Sequence, residues 1–184
     1  MERTYVIQVE TGRETRAKEL IEHIVGQPLA REVFVPQWEK AMSVRGGGIR
    51  MQHVLLTPGY LYLTTSDVDA AFQALRAVPA FTRLLGGEGG FVPLTPDELV
   101  WVDQLTKPGE RTVRMSHAIK EGDTVRIVDG PLVGFETKIK RIDAHKRLAY
   151  VALPLLGRPM TVKVGLEVIR KTDFLLRSYN QNSP

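Results

Sequence analysis

The sequence predicts an α+β protein, in which an N-terminal antiparallel sheet flanked by helices is followed by a small C-terminal β-barrel. Up to residue 106 the strand and helix signals alternate, whereas later strand signals are short and separated by turn residues. The charge changes at the same place: residues 1–106 carry 10 Lys/Arg against 13 Asp/Glu, and residues 107–184 carry 15 against 8. This contrast predicts two modules with different partners, the basic one facing a polyanion.

Composition argues against several classes of protein. The 184 residues contain no cysteine, so disulfides and thiolate metal sites are excluded, and no run of eighteen apolar residues that could span a membrane. The opening MERTYVIQVE lacks the apolar core of a secretory signal, and a cytoplasmic protein is therefore expected. The four histidines have no metal-ligand spacing, and no nucleophile is patterned with a base and an orienting group. We expect no metal, no cofactor, no membrane contact and no enzymatic activity.

The first elements are a strand and a helix. TYVIQV is rich in β-branched and aromatic residues, which favours a strand. Thr11 and Glu14 have the spacing of a capping box, and Gly26 with Pro28 predicts the end of the helix. An apolar stripe at helical spacing predicts the buried face of this helix: Ala17, Leu20, Ile21, Ile24 and Val25.

The rest of the first half predicts more strands and two more helices. Strand signals lie at Glu32–Pro36, Gln52–Thr57 and Tyr60–Thr64. The cluster RGGG at Arg45–Gly48 predicts the tip of a hairpin, since it lacks the Lys-Ser/Thr of a phosphate-binding loop. A second helix is predicted over Asp67–Val78, and Thr95–Glu98 predicts the start of a third through a capping box with Pro at its first turn.

The second half begins with a polar segment. Residues 107–117 contain a Pro-Gly breaker and predict a linker, followed by a barrel over 118–172 and a tail over 173–184. DTVRIVD, ETKIKRID, RLAYVAL and PMTVKV are its strand signals. Because strand side chains alternate, Lys138 and Lys140 are predicted on one face and Ile139 on the other. His145, Lys146 and Arg147 are predicted in the turn that follows.

Several of these segments resemble the NusG family of transcription factors. GDTVRIVDGPLVGFETKIKRID resembles the KOW motif, with Gly122-Asp123 opening it and Gly130-Pro131 in its turn, and LLGRPMTVKVGLEVI is similar to the strand that follows. TYVIQVETGRETRAKELI, TPGYLYL, LRAVPAFTRLLG and FVPLTPDEL are similar to the NusG N-terminal domain. The likeness spans Tyr5 to Ile169. It implies a NusG-type N-terminal domain, residues 1–106, and an SH3-like KOW barrel.

Within the family, YVIQVETG, Met115-Ser116 and IDAHKRLAYV are most like the specialised paralogue LoaP. The chain departs from the family pattern in two places. Thr137 stands where the KOW motif usually has Gly, and Thr57 stands where an aromatic residue usually precedes Pro58. The first departure bears on the shape of the turn, and the second on the apolar surface around Tyr60.

The resemblance implies an N-terminal domain that docks on the clamp helices of the largest subunit of RNA polymerase. It also implies that the domain reaches the opposite lobe across the DNA cleft, with DNA of the transcription bubble as a further partner. Aromatic side chains supply much of the energy of such interfaces. For Tyr5 the alternative of a core position stays open. The matching positions are Tyr5, Tyr60, Tyr62, Phe72 and Phe81.

For the barrel, the LoaP likeness implies a nascent RNA hairpin as the partner of a monomeric protein. Lys and Arg on a small β-surface suit phosphate contacts, and A-form RNA is recognised mainly by shape, so no stacking aromatic is required. The candidate residues are Lys138, Lys140, Arg141, His145, Lys146, Arg147 and Arg158. Two alternatives stay open: a general NusG-type factor whose barrel binds proteins, and an RNA-binding KOW protein without polymerase contact.

Overall fold

The computed structural model describes residues 1–27, 29–79, 81–87, 90–107 and 109–169, with the backbone alone for residues 81, 82, 84, 86 and 87. Pro28, the tail 173–184 and residues 170–172 of the predicted barrel therefore lie outside the described residues. The elements in chain order are β1 (Arg3–Val9), α1 (Glu14–Ile24), β2 (Glu32–Phe34), β3 (Gln37–Ser43), β4 (Ile49–Leu55), β5 (Tyr60–Thr65), α2 (Val68–Leu75), β6 (Phe81–Leu84), β7 (Gly86–Gly87), β8 (Gly90–Phe91), α3 (Pro96–Thr106), β9 (Thr112–Val113), β10 (Ser116–Glu121), β11 (Thr124–Asp129), β12 (Ile139–Asp143), β13 (Leu148–Leu155) and β14 (Arg158–Ile169).

The N-terminal half is built on an antiparallel sheet with strand order β2-β5-β1-β6. Alternation along β5 gives the sheet two different faces. Leu61 and Leu63 belong to a core cluster with the apolar residues of α1 and α2, whereas Tyr62 belongs to a second cluster with α3 and barrel residues. Ile24, predicted on the buried face of α1, is instead 37% exposed at the end of the helix. The predicted fold class, an antiparallel sheet flanked by helices followed by a small β-barrel, is confirmed.

A hairpin extends from this half. Strands β3 and β4 pair antiparallel from Gln37↔Leu55 to Ser43↔Ile49, and the predicted glycine cluster forms the tip, as expected. Gly46, Gly47 and Gly48 all have φ near +100°, a conformation that is strained for residues with a side chain. The other edge of β3 pairs in parallel with β9.

The C-terminal half is a five-stranded sheet with order β11-β10-β14-β13-β12 that curves around an apolar interior. Strand β10 was not predicted from the sequence, because its first two residues fall in the predicted linker and its last two are the charged Lys120 and Glu121. β14 continues five residues beyond the predicted strand end at Val164, and its last residues pair in parallel with β10 while the earlier ones pair with β13. This long central strand therefore joins β10 on one side of the barrel sheet to β13 on the other.

The two halves pack against each other through a shared core. One cluster of buried apolar side chains runs from Val6 and Phe34 in the N-terminal sheet, through Trp101 and Leu105 of α3, to Leu153 and other barrel residues. The predicted linker, 107–117, is consequently no free tether, since Thr112–Val113 pairs with β3 and β10 begins at residue 116 rather than 118. No helix among the described residues is long and apolar enough to span a membrane.

Candidate functional surfaces

The first candidate surface is the aromatic face of β5. Tyr62 is fully buried and stacks on Phe34 of the neighbouring strand, with ring centroids 5.1 Å apart and planes 13° from parallel. Tyr60 lies on the same face, two residues earlier, and is half-buried against the same cluster. In this conformation the face belongs to the core that α3 and the barrel complete, so it is closed to an external partner.

Several hydrogen bonds join the halves around this face. The Glu98 Oε1 atom accepts from the Gly157 backbone N–H at 2.9 Å, and the Trp101 indole N–H donates to the Pro154 carbonyl at 2.7 Å. On the other side, the Met115 backbone N–H donates to Glu39 Oε2 at 2.8 Å. These bonds tie α3 and β3 to the barrel and to the segment that leads into it.

At Gly165 of β14 the two halves approach each other closely. A Cβ atom built on this glycine would lie 2.6 Å from the Glu39 carbonyl oxygen and 2.7 Å from the Met115 Sδ atom. The first distance is shorter than real Cβ contacts and involves backbone, which cannot easily move. The absence of a side chain at Gly165 therefore permits the barrel to pack on β3.

Arg111 fastens the connecting segment to the N-terminal half. Its Nε atom donates to Glu32 Oε1 at 2.7 Å, its Nη1 atom donates to Asp103 Oδ1 at 2.8 Å, and its guanidinium lies 3.9 Å from the centroid of the Phe34 ring. Burial acts to lower the pKa of Arg111, but the hydrogen bonds to the two carboxylates outweigh it, and the net shift is upward. The cation covers the edge of the aromatic face.

Two buried hydroxyl groups on this face lack well-formed hydrogen bonds. The Tyr62 hydroxyl and Thr57 Oγ1 are buried, and neither makes a hydrogen bond of ordinary geometry among the described residues. Burial raises the pKa of Tyr62 by more than the neighbouring Thr57 hydroxyl lowers it, so the phenol is neutral. A buried polar group without a partner costs about 1–3 kcal/mol. The closed packing therefore leaves unmet hydrogen-bonding capacity at this surface.

The structure brings together only part of the predicted polymerase surface. Tyr60 and Tyr62 share a face, but Tyr5 is a buried member of the cluster under α1 and α2 on the opposite side of the sheet. Phe72 of α2 packs on the Phe91 ring at 4.6 Å, also on the helical side. The side chain of Phe81 lies outside the described part of the structure. The burial of Tyr5 favours its core role.

The second candidate surface is the basic face of the barrel, where Lys138 and Lys140 are exposed and Ile139 packs on the core as predicted, but the strand expected to carry Lys138 begins only after it. Lys138 ends a 3-10 turn, Glu136–Lys138, and is not in a strand. The pairing of β12 with β13 then shifts between Ile139 and Arg141, which makes Lys140 the extra residue of a β-bulge. Lys140 and Arg141 are consequently exposed side by side. Thr137, which stands where the KOW motif usually has Gly, lies within the 3-10 turn.

Two residues of this face, Tyr150 and Lys163, were not predicted from the sequence. Arg141, Tyr150 and Lys163 are paired directly across β12, β13 and β14 and form one outward row. The Arg141 guanidinium lies 4.2 Å from the centroid of the Tyr150 ring, and Lys163 Nζ lies 5.9 Å from it. Alternation within RLAYVAL could have indicated Tyr150, since its neighbour Val151 is the inward residue.

The remaining predicted cations are partly neutralised or distant. In the β12–β13 turn, His145 and Lys146 are exposed, but Lys146 lies 3.7 Å from Asp143. Arg147, at φ +53°, directs its Nε atom to within 3.7 Å of Glu167. Arg158 is exposed at the opposite end of β13, about 23 Å away along an eight-residue strand.

These features place an aromatic face at the junction of the two halves and a basic, partly aromatic face on the small barrel. The family model described as transcription termination factor nusG matches residues 3–102, more than half of the chain. The chain belongs to the NusG family.

Curated relatives support this assignment along nearly the whole chain. The transcription termination/antitermination protein NusG of Buchnera aphidicola is 27% identical over 92% of this chain and 96% of its own length. The proteins of the same name from Yersinia pestis and Escherichia coli K12 are 29% identical over the same shares. A solved structure described as domain interaction in Thermotoga maritima NusG has a TM-score of 0.57, 21% identity, and covers 90% of this chain and 94% of that one.

Proposed function

We propose that this protein is a NusG-type transcription factor that binds RNA polymerase through the aromatic face of β5. In the same proposal the barrel binds a nascent RNA hairpin, and the protein promotes processive elongation through terminators in the cytoplasm. The names of its relatives, transcription termination/antitermination protein, support a role in elongation control. In this proposal, residues 1–106 form the domain that binds the polymerase, and residues 118–172 form the barrel that binds the RNA.

The observation that carries the polymerase part is the arrangement of Tyr60 and Tyr62. Both project from one face of β5 next to Phe34, which forms the compact aromatic patch that protein interfaces favour. In the closed packing the Tyr62 hydroxyl makes no hydrogen bond of ordinary geometry with any described residue, which lowers the cost of exchanging the barrel for another surface. Polymerase binding then requires the junction to open, with the clamp helices taking the place of α3 and barrel contacts.

Gly165→Ala tests this exchange without altering the aromatic face. The added Cβ clashes with the Glu39 carbonyl, so the junction should open and the variant should capture more bacterial RNA polymerase in a pull-down than wild type does. Thr161→Ala, at an exposed position on the same strand, is the matched control and should behave as wild type. Unchanged or weaker capture by a folded Gly165→Ala variant contradicts opening as a requirement.

Tyr60→Ala combined with Gly165→Ala tests the surface itself. In the opened protein Tyr60 is free to contact polymerase, so its removal should abolish the extra capture while circular dichroism stays unchanged. Tyr60 is preferable to Tyr62 because Tyr62 is fully buried and its replacement also damages the core. If the double variant captures polymerase as well as Gly165→Ala alone, the interface lies elsewhere.

The RNA part depends on the cations of the barrel. Lys140 and Arg141 are exposed, and no acidic partner is found for either among the described ion pairs. Removing one phosphate-binding cation should reduce the slope of log affinity against log salt by roughly 0.7 to 0.9. Replacing Lys140 and Arg141 with Gln should flatten this slope more than replacing Lys146 and Arg147, which lie near Asp143 and Glu167. Equal hairpin binding by both variants and wild type would contradict an RNA role.

A second candidate is a general elongation or termination factor whose barrel binds a protein. An open cleft of about 840 Å³ lies beside the 129–135 turn, lined by residues of both halves that include Leu105 and Phe135. Val133 in its wall is 54% exposed, which offers an apolar contact. This function would be favoured if wild type binds RNA only weakly and if Val133→Asp abolishes binding of a protein partner without changing that RNA affinity.

A further inference from the structure

The row Arg141–Tyr150–Lys163 is an assembled feature that neither charge nor motif analysis predicts. Its members come from three different strands and meet only through the pairing register of β12, β13 and β14. Arg141 lies 4.2 Å from the Tyr150 ring centroid and Lys163 lies 5.9 Å from it, both within the range of cation–π contact. We call Arg141, Tyr150 and Lys163 the stacking row.

The bulge at Lys140 builds this arrangement. Without the extra residue, β12 would alternate strictly and only one of Lys140 and Arg141 would face outward. With it, Ile142 as well as Ile139 packs on the barrel interior, and Lys140 and Arg141 are both exposed. The described surface therefore combines a planar guanidinium, an aromatic ring and two lysine ammonium groups within one small area of the sheet.

This combination suits an unpaired nucleotide better than a paired one. Single-stranded nucleic acids are bound where aromatic rings or guanidinium planes stack on bases and nearby cations contact the phosphates. A base in an A-form stem cannot offer its face, because it is stacked between its neighbours. An acidic peptide would satisfy the ammonium groups but has no use for the guanidinium–ring stack.

We propose that the stacking row binds an unpaired nucleotide of the RNA hairpin, such as one in its loop. The base stacks on the Arg141–Tyr150 pair, and Lys140 and Lys163 contact the flanking phosphates. This rests on the proposed RNA binding and adds to it the part of the RNA that is recognised. The barrel consequently distinguishes a hairpin with unpaired residues from a fully paired stem of the same length.

The test uses the full-length protein and two RNAs: a hairpin with an unpaired loop, and a blunt duplex with the same stem. Arg141→Lys keeps the charge but removes the plane, so its affinity for the loop RNA should fall about tenfold, the size of one stacking interaction. Its affinity for the duplex and its salt slope should stay unchanged. Tyr150→Phe, which keeps the ring, should match wild type, whereas Tyr150→Leu should lose the loop preference.

Matched controls separate this inference from the proposal on which it rests. Lys163→Gln should weaken loop RNA binding, whereas Lys120→Gln, on the strand β10 away from the row, should not. If Arg141→Lys and Tyr150→Leu keep the loop preference while Lys140→Gln weakens both RNAs, the barrel binds RNA but the stacking row does not read unpaired bases. If no variant changes either affinity, the RNA function itself is overturned, and the inference with it.

Discussion

Helices α1 and α3 begin with the same sequence signature and use it differently. Thr95 and Glu98 form the predicted capping box, with Thr95 Oγ1 accepting from the Glu98 N–H and Glu98 Oε2 accepting from the Thr95 N–H. Thr11 and Glu14 have the same spacing, but the residue that caps α1 is Arg13, and its side chain makes no capping hydrogen bond. The prediction of a capping box at α1 is wrong.

The two glutamates nevertheless have a common role. Glu14 is buried and accepts from the backbone N–H groups of Gly12 at 2.8 Å and Gly59 at 2.7 Å. Glu98 is equally buried and, besides its cap, accepts from Gly157. Each carboxylate therefore holds a glycine N–H of a distant turn. Glu14 acts within the N-terminal half, and Glu98 acts between the halves.

The difference shows what a local signature can and cannot decide. Gly12 has φ +91°, which turns the chain before α1 so that Glu14 faces the turn at Gly59 and not the N–H of Thr11. A buried carboxylate takes the donors that the tertiary fold presents, because leaving a charge unpaired in the interior is costly. The same tetrapeptide pattern thus gives a cap in one place and a turn anchor in the other.

The largest expected effect is that of Glu14→Ala. The variant leaves the buried Gly59 N–H and the part-buried Gly12 N–H without their acceptor, and hydrogen bonds to charged groups contribute about 1.5–3 kcal/mol each. We expect the free energy of unfolding to fall by about 3 kcal/mol or more, measured by urea denaturation. Glu22→Ala, which removes an exposed pair with Lys18 on the same helix, is the control and should cost about 0.5 kcal/mol or less. A decrease below about 1 kcal/mol for Glu14→Ala would contradict the anchor role.

Glu98→Ala should cost less in stability but should loosen the domain junction. It removes the glutamate half of the capping box and the Gly157 hydrogen bond, and we expect the free energy of unfolding to fall by about 2 kcal/mol. Amide exchange should quicken at Gly157 and around Trp101, because both lie at the junction, and stay slow at Gly59. The exposed neighbour Asp97→Ala serves as control. Protection at Gly157 that remains at the wild-type level would show that Glu98 does not hold the barrel.

Arg111→Lys tests whether Arg111 stabilises the junction between the halves, as Glu98 does, and not the N-terminal half alone, as Glu14 does. Lysine keeps the charge but cannot contact Glu32 and Asp103 with a planar fork or stack on Phe34. We expect stability to fall by about 1–2 kcal/mol with faster exchange at the junction, a pattern like that of Glu98→Ala and unlike that of Glu14→Ala. The expectation is contradicted if exchange quickens at Gly59 and not at Gly157.

The smallest effects come from the threonines. Thr95→Ala should cost about 1 kcal/mol, since it removes a formed helix cap, whereas Thr11→Ala should cost within about 0.5 kcal/mol. Thermal unfolding of the two variants side by side measures the contrast. Equal destabilisation at both positions would mean that α1 has a threonine cap in solution after all.

Much of the fold could be predicted from periodicity and turn residues. The capping box at Thr95 and the glycine tip of the β3–β4 hairpin required only local signals, and both are confirmed. The candidate surfaces were harder to predict. Tyr60 and Tyr62 were expected on one face, as the structure has them, but no local pattern placed Tyr5 on the other side of the sheet. Tyr150 and Lys163 were missed because their neighbours are set by strand pairing.

The sequence by itself determined the helices α1, α2 and α3 and most of the strands, since apolar spacing and turn residues act within a few positions along the chain. The tertiary structure alone decided three things: the use of Glu14, the bulge that exposes Lys140 beside Arg141, and the closing of the Tyr62 face by the second half. Each depends on a partner far along the chain, such as Gly59, 45 residues from Glu14, or Gly157, 59 residues from Glu98. Such partners are chosen by packing and by the need to satisfy buried polar groups, and neither is written in a local pattern.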